Sequence, residues 1–363
     1  MDTSLIKQKE ASGLVCVTLD VHLWSGRKRL RKEKLLEKNP EFANLPPESL
    51  ATLGSIKIAD PDDLAPFMRI KREAEKQLLL HGLPLLGTVG IPEAKLSSVY
   101  KKLTLLQSEF EGFRTQLHAE YESRLQEWRD KDENRGWAHL IHDIPTPEYV
   151  AGRLAFGFHL CRVSAPSADD SSPINDHYGK QVGGLKGELF ADAAREARLL
   201  MDKYLCGNVA GVTKTRDRIT QKTIGPLRRV AEKLRSFSFL DPSVGPMAAV
   251  VEHCLSLLPH EGPIDGAHLV HIWALARTLA NESAAEEAAA IALQLSSPSM
   301  AFESLLTKAA DTVPSPVVAA AQPAAAGPAD SELAADAADT TETAEQAPLA
   351  VESFAPTLTA ALF

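Results

Sequence analysis

The chain is poor in cysteine and lacks the long apolar runs of membrane proteins. Its four cysteines among 363 residues are far apart and stand among apolar neighbours, so we expect buried, reduced thiols and no disulfide framework. No run approaches the roughly 18 apolar residues of a membrane span, and the N-terminal segment lacks the apolar core of a secretory signal. We therefore expect a cytoplasmic protein.

Signatures of common enzymes are absent as well. The sequence has no HExxH, no GxSxG, no Walker A spacing and no dinucleotide-binding fingerprint. Nothing in the pattern supports an enzyme, and we name no catalytic residue, no metal ligand and no cofactor.

Basic residues are absent after Lys308, whereas eight acidic residues follow it. The rest of the chain holds 40 acids and 39 bases, so most of the formal net charge of -9 belongs to this tail. Two segments of the nearly neutral body are locally basic and could neutralise nucleic-acid phosphates, although solvated helix faces give the same pattern. The first contains Arg27, Lys28, Arg29, Arg31, Lys32, Lys34 and Lys38; the second contains Lys214, Arg216, Arg218, Lys222, Arg228, Arg229, Lys233 and Arg235.

Two segments alternate apolar and other residues in the manner of half-buried strands. They span residues 15–23 and 154–161, and we predict that they pair in a small sheet. Between them, Ile56 and Ile58 indicate a short strand. Asp60 before Pro61 is typical of a helix start, and the helical spacing continues to Gly82, where a link rich in Gly and Pro begins.

The longest predicted helix spans residues 92–128. Its apolar residues follow steps of three and four, which gives a narrow seam on one face. A helix of about 37 residues measures roughly 55 Å, so we expect it to project or to pair with another helix. The predicted partner-binding seam consists of Leu96, Val99, Leu103, Leu106, Phe110, Phe113, Leu117, Tyr121, Leu125 and Trp128. The alternative is an amphipathic helix that lies on its own domain.

After a loop predicted at 165–184, the second half has the pattern of successive helices, one of them at 209–223. Beyond residue 312 the composition is rich in Ala, Pro and acidic residues, which is typical of disorder. We predict a mainly α fold with a small antiparallel β-sheet (α+β), a long helical arm and a C-terminal helical bundle. The predicted domains are a strand-flanked helical-arm domain at 1–164, the bundle at 185–300 and a disordered acidic Ala/Pro-rich tail at 312–363.

Three further patterns are weak candidates for a metal or phosphate site. Asp20, His22 and His159 would share one face of the paired strands, while His139 with His142, and His268 with His271, have helical i,i+3 spacing. The glycines at 179, 183, 184 and 187 accompany Lys180 and Lys186 before a helix, where backbone amides could cradle a phosphate. Ordinary packing or a flexible loop explains each pattern equally well.

Several short segments are distinctive as a set. They are DVHLWSGRKRL from Asp20, LPPE from Leu45 with LGS from Leu53, IPE from Ile91, SFLDP from Ser238 and LPHEGPI from Leu258. Together they resemble the bacterial domain-of-unknown-function family DUF3150 over roughly residues 14–280. The resemblance carries over no catalytic residue. It implies a partner, because members on plasmids, integrative elements and phages often accompany a MoxR-type AAA+ ATPase and a von Willebrand A-type protein.

The favoured expectation is a non-enzymatic adaptor or scaffold of a bacterial mobile-element or phage-related assembly. Its seam would contact the AAA+ ATPase, the von Willebrand A-type protein or a second copy of the chain. The alternative is a DNA- or RNA-binding protein, with candidate contacts at Arg27, Lys28, Arg29, Arg31, Lys32, Lys214, Arg216, Arg218, Arg228 and Arg229. We expect no membrane partner.

Overall fold

The computed structural model describes residues 13–36, 46, 50–141, 143–163, 173–209 and 212–311. Over these residues the protein is mainly helical, with one four-stranded antiparallel sheet and smaller two-stranded sheets, so the predicted fold class is confirmed. The predicted tail lies outside the described residues, and the domain boundaries at 164 and 185 stay predictions. None of the described helices is both long and apolar enough to cross a membrane.

The elements of the first half are β1 (Leu14–His22), β2 (Arg27–Arg29), α1 (Lys32–Leu36), β3 (Ser55–Lys57), α2 (Pro61–His81), β4 (Leu83–Leu85), β5 (Thr88–Pro92), α3 (Glu93–Asp130), α4 (Asp132–Arg135), a 3-10 turn (Ala138–Leu140), α5 (Pro147–Gly152) and β6 (Ala155–Cys161). Those of the second half are α6 (Pro173–Gly183), α7 (Leu185–Leu200), a π-helical turn (Met201–Leu205), β7 (Cys206–Val209), β8 (Val212–Thr215), β9 (Arg218–Ile219), α8 (Gly225–Ser236), α9 (Val244–Ser256), β10 (Ile264–Asp265), α10 (Gly266–Ala280), α11 (Glu282–Leu295) and α12 (Pro298–Asp311).

The main sheet has the strand order β4-β5-β1-β6. The predicted pairing of β1 with β6 is confirmed and runs antiparallel from Cys16 opposite Cys161 to His22 opposite Ala155. The link at 82–92 folds as the β4–β5 hairpin and pairs with the other edge of β1. Its turn places Leu86 and Gly87 at positive φ, a local feature that apolar periodicity does not report.

Strand β1 contributes to two hydrophobic cores because its side chains alternate between the two faces of the sheet. Val17 on one face is 1% exposed and belongs to a core with α2 and α3, against which Leu19 packs. Leu14 and Cys16 on the other face belong to the core of the second half. The alternating pattern predicts a half-buried strand, but at the N-terminal end of β1 side chains on both faces of the sheet are buried.

Helix α2 begins as the sequence predicts. The carboxylate of Asp60 accepts a hydrogen bond of 3.1 Å from the Asp62 N–H, and Pro61 at the first position loses no helical hydrogen bond. The buried face of α2 packs along α3, with the rings of Phe67 and Phe110 4.9 Å apart. This pairing gives the 38-residue helix α3 a neighbour from its own chain.

The second half differs from the sequence prediction at two segments. Residues 209–223 do not form the predicted helix, since this stretch contains β8 and β9 and a turn before α8. Within the predicted loop at 165–184, Pro173–Gly183 is helix α6. The helices at 225–236, 244–256, 266–280 and 282–295 follow the predicted spacing, and buried Phe190, Leu234 and Val251 share their core.

Candidate nucleic-acid interface

The first three residues of the first basic segment, Arg27–Arg29, form a two-stranded antiparallel ribbon of β2 and β3, which we call the basic ribbon. Arg31, Lys32 and Lys34 lie beside or in α1, and Lys38 lies outside the described residues. Arg27 lies opposite Lys57, and Arg29 lies opposite Ser55. These four residues are exposed, whereas Lys28 and Ile56 on the other face are half-buried. One face of the ribbon therefore presents three cations to solvent. The sequence did not point to Lys57, because it lies 19 residues beyond Lys38, the last residue of the basic run.

Three contacts fix the ribbon to the rest of the molecule. The Ile58 N–H donates a 2.8 Å hydrogen bond to the Gly26 carbonyl, and the Leu30 N–H donates to the Gly54 carbonyl at 3.1 Å. The Lys28 ammonium donates to the backbone carbonyl of Asp143. Gly26 lies at a φ of 61°, and a Cβ there would stand 2.7 Å from Leu64 Cδ1, so both conformation and space require glycine.

Several cations on and beside the ribbon have no ion pair with a described acid. Within the described part of the chain, Arg27, Arg31, Lys32 and Lys57 have no carboxylate oxygen within 4 Å. The charge of Lys57 does act on Asp60, whose carboxylate is already bonded to Lys131. The ribbon therefore keeps a positive field at its surface.

The second basic segment is built differently. Its cations lie in β9, in the turn that follows and along α8, and not on the predicted helix; the side chain of Lys214 lies outside the described residues. Arg218 pairs with Asp265 at 3.3 Å, and Arg229 pairs with Glu196 at 2.7 Å. Lys233 pairs with Asp192, and Arg235 pairs with Glu252. Arg216 and Arg228 are exposed, and Arg228 donates to Gln221. Four of the seven cations whose side chains are described are thus engaged in intramolecular ion pairs.

The residues of the predicted partner-binding seam are covered by other residues of the same chain. Seven of its members are buried, and the other three pack against the same core: Leu96, Val99, Leu103, Leu106, Phe110, Phe113, Leu117, Tyr121, Leu125 and Trp128. Phe110 packs against Phe67 of α2 and against Phe156 of β6, with ring centroids 4.9 and 5.7 Å apart. The alternative, an amphipathic helix that lies on its own domain, matches this arrangement. Helical periodicity predicts that one face of a helix is buried, but not whether the same chain or another molecule buries it.

The polar face of β1 and β6 brings the predicted trio together. His22 Nε2 is 3.0 Å from one carboxylate oxygen of Asp20, and His159 Nε2 is 3.9 Å from the other. All three side chains are more than half exposed, and across the described ranges no group of three His, Cys, Asp or Glu residues is arranged to hold a metal. The trio is therefore an exposed polar cluster.

The other weak patterns do not assemble a site. His139 lies in the 3-10 turn, while His142 lies outside the described residues. The rings of His268 and His271 are 6.4 Å apart, and His271 packs edge-on against Phe302. The glycines at 179 and 183 belong to helix α6, and Gly187 belongs to α7, so this stretch is not a phosphate-binding loop.

A charged groove of about 330 Å³ lies where α2 begins beside α3. Arg124 pairs with Asp63 and Glu120, and Lys131 pairs with Asp60 at 2.6 Å. Burial favours the neutral acid, but the hydrogen bonds from Lys131 and the Asp62 N–H lower the pKa of Asp60 overall. Because its cations are already paired with its acids, we interpret the groove as a junction that holds the two helices in register.

The free edge of the main sheet carries exposed apolar side chains. Tyr100 of α3 is 47% exposed, and its ring lies 5.6 Å from that of Phe158 on β6. Leu160, two residues further on the same face of the strand, is 42% exposed. We call these three residues the edge patch. The side-chain amide of Gln107 donates to the Phe156 carbonyl, so the α3 side of this strand is partly satisfied.

These observations define a mainly helical α+β protein with a basic ribbon in which Arg27 lies opposite Lys57, and with no group of three His, Cys, Asp or Glu among its described residues that is arranged to hold a metal. Residues 11–281 match the family model described as a protein of unknown function (DUF3150). The match covers about three quarters of the 363 residues, so the chain belongs to this family, and the predicted resemblance is confirmed. No curated protein and no solved structure matches the chain.

Proposed function

We propose that this protein is a non-enzymatic binding protein that docks on DNA or RNA through the basic ribbon. The observation that carries the proposal is the pairing of Arg27 directly opposite Lys57 on the exposed face. Like charges at opposed positions destabilise a strand pair, so this arrangement favours a site that an anion completes. The phosphate backbone is such an anion, and a two-stranded ribbon has the width that the major groove of DNA admits.

The salt dependence of oligonucleotide binding tests this proposal. Fluorescence anisotropy of the purified full chain would be measured with labelled duplex and single-stranded oligonucleotides at several salt concentrations. Replacing Arg27 and Lys57 together by Ala should make the negative slope of log K against log salt shallower by roughly 1.4–1.8, because two phosphate contacts are lost. The matched control replaces Arg218 and Arg229, whose charges are paired with Asp265 and Glu196, and should change the slope little. Unchanged binding by the ribbon variant would contradict the proposal.

The second candidate is an adaptor of a bacterial mobile-element or phage-related assembly that contacts a MoxR-type AAA+ ATPase or a von Willebrand A-type protein. The observation that favours it is the edge patch, since exposed aromatic and aliphatic side chains beside a free strand suit a protein partner. The seam of α3 cannot supply this contact in the folded arrangement. An adaptor that works with nucleic acid would use both surfaces.

Sedimentation of purified components tests the adaptor. The chain would be mixed with the AAA+ ATPase of its own genetic element, and Leu160→Lys should weaken their association at least tenfold. The control is Leu105→Lys, since Leu105 is 67% exposed on the same helix as Tyr100 but five residues away, on another face. Equal loss with both variants, or no association of the wild-type proteins, would argue against the edge patch.

A further inference from the structure

Two of the four cysteines lie opposite each other in the main sheet, although 144 residues separate them in the sequence. Cys16 of β1 is the register partner of Cys161 of β6. Opposed residues of an antiparallel pair have Cα atoms about 4.5–5.5 Å apart, which lies within the range that a disulfide spans. The sequence predicts buried, reduced thiols; Cys16 is buried as predicted, whereas Cys161 is exposed. The two lie side by side because strand pairing, not chain distance, sets their separation.

The two thiols are neighbours across the strand pair but differ in exposure. The pKa of the Cys16 thiol is raised chiefly by burial; Thr88 of β5 lowers it, and the neighbouring Cys161 raises it further. Cys16 is 1% exposed, whereas Cys161 is exposed at the end of the edge strand. Burial raises the pKa of the Cys16 thiol, so this inner group stays protonated and out of reach of solvent oxidants.

We infer that Cys16 and Cys161 form an oxidisable cross-strand pair that closes to a disulfide when the exposed thiol meets a peroxide. In the first step the Cys161 thiolate attacks one oxygen of hydrogen peroxide, the O–O bond breaks, and a sulfenic acid and hydroxide form. In the second step the Cys16 sulfur attacks the Cys161 sulfur. The new S–S bond forms as the S–O bond breaks, and the Cys16 proton leaves with the hydroxyl group as water.

The remaining cysteines lack this arrangement. Cys254 is fully buried, and burial raises its pKa to about 12, so it should resist oxidation. Cys206 is half-exposed at the start of β7, where its register partner is Thr215. Neither has a cysteine as its strand partner, so Cys206 serves as the matched control for the exposed member of the pair.

Thiol mapping of the full chain tests the inference. The reduced protein would be treated with hydrogen peroxide, alkylated under denaturing conditions, digested without reductant and examined by mass spectrometry. We expect the loss of two of four alkylatable thiols, a peptide in which Cys16 is joined to Cys161, and full recovery with dithiothreitol. Cys161→Ser should abolish the cross-linked peptide, whereas Cys206→Ser should leave it unchanged.

A second variant distinguishes a protein in which the disulfide cannot form from a protein that does not fold. In Cys16→Ala the exposed Cys161 should still form a sulfenic acid that dimedone traps, but no disulfide. Circular dichroism would compare its unfolding midpoint with that of the reduced wild type. Over-oxidation of Cys161 to sulfinic acid in the wild type while Cys16 stays alkylatable would overturn the inference, as would linkage of Cys161 to Cys206 or to a second copy.

Discussion

The two basic segments are similar in sequence, but they differ in the structure in whether acidic side chains pair with their cations. On α8, Arg229 and Lys233 meet Glu196 and Asp192 of α7, and Arg235 meets Glu252 of α9. On the basic ribbon, Arg27 meets another cation. The comparison teaches that the surface field depends on where tertiary packing places the acids, and not on the local count of bases.

The reason for the difference is the kind of neighbour each segment has. Helix α8 is amphipathic and packs into the bundle, so the polar margins of α7 and α9 border its cations. The basic ribbon is held by main-chain hydrogen bonds and by the contact of Lys28 with a carbonyl oxygen. A carbonyl oxygen accepts the hydrogen bond of the Lys28 ammonium but, being uncharged, does not neutralise its positive charge.

The largest effect should come from removing the most buried cation of α8. The Lys233 ammonium is 9% exposed and donates to Asp192 at 2.6 Å and to the Leu79 carbonyl at 2.7 Å. Lys233→Met should lower the free energy of unfolding by about 2–3 kcal/mol, since the partly buried Asp192 keeps only the exposed Arg195 as an ion-pair partner and the Leu79 carbonyl loses its donor. Urea unfolding measures this, and the double variant with Asp192→Asn should recover part of the loss.

The same change on the ribbon provides the contrast. Arg27→Met should alter the free energy of unfolding by less than about 0.5 kcal/mol, because the side chain is exposed and has no carboxylate partner among the described residues. Equal costs for the two variants would remove the distinction between the segments.

The next largest effect concerns Gly26, which connects β1 to the basic ribbon. Gly26→Ala should destabilise the protein by about 1–2 kcal/mol, because φ is positive there and the added Cβ meets Leu64. The ribbon should shift with it, so oligonucleotide affinity should fall in the same variant. Gly54→Ala also carries the penalty of a positive φ, but its added Cβ meets no atom within 4 Å. The difference in unfolding free energy between the two variants therefore measures the steric contribution of Leu64. Equal losses in both variants would show that the Leu64 contact is unimportant.

A smaller effect is expected for Asp60, which follows the ribbon in the chain and caps α2. Asp60→Ala should cost about 1 kcal/mol at pH 7 through loss of the helix cap, whereas Asp60→Asn keeps a cap and should cost less. The folded state lowers the pKa of Asp60 from 3.8, so its carboxylate stabilises the fold above that value and the benefit disappears as pH falls through the folded pKa. Wild type and Asp60→Asn should therefore converge in unfolding midpoint at acidic pH. A constant gap between them would contradict the ion-pair contribution.

The last predicted effect on stability is also small, but its sign is informative. Lys57→Glu places an acid opposite Arg27 and should stabilise the ribbon by about 0.2–1 kcal/mol. The same variant should bind oligonucleotides more weakly, because the ribbon loses its excess charge. Thermal unfolding and anisotropy on one preparation measure both changes. If the two readouts moved in the same direction, the ribbon would not be a binding surface.

Much of the fold follows from local pattern. The alternation at 15–23 and 154–161 predicts both β1 and β6, and Asp60 with Pro61 predicts the start of α2. The segments that escape prediction have weak periodicity. The stretch at 209–223 mixes polar and basic residues that suit a helix or a hairpin equally, and the β4–β5 hairpin depends on positive φ in its turn.

The candidate site is predictable only in part. The run at Arg27–Arg29 is visible in the sequence, but Lys57 joins it only through strand pairing. The seam of α3 is also visible, yet its periodicity cannot say whether α2 or another molecule covers it.

The sequence by itself determined where the chain is helical or extended over most of its length, and which family it belongs to, because periodicity and capping act between near neighbours. Tertiary structure alone decided which apolar face is internal, which cations keep their charge unpaired and which two thiols meet. Those outcomes depend on residues far apart in the chain, whose separation in space no local pattern encodes.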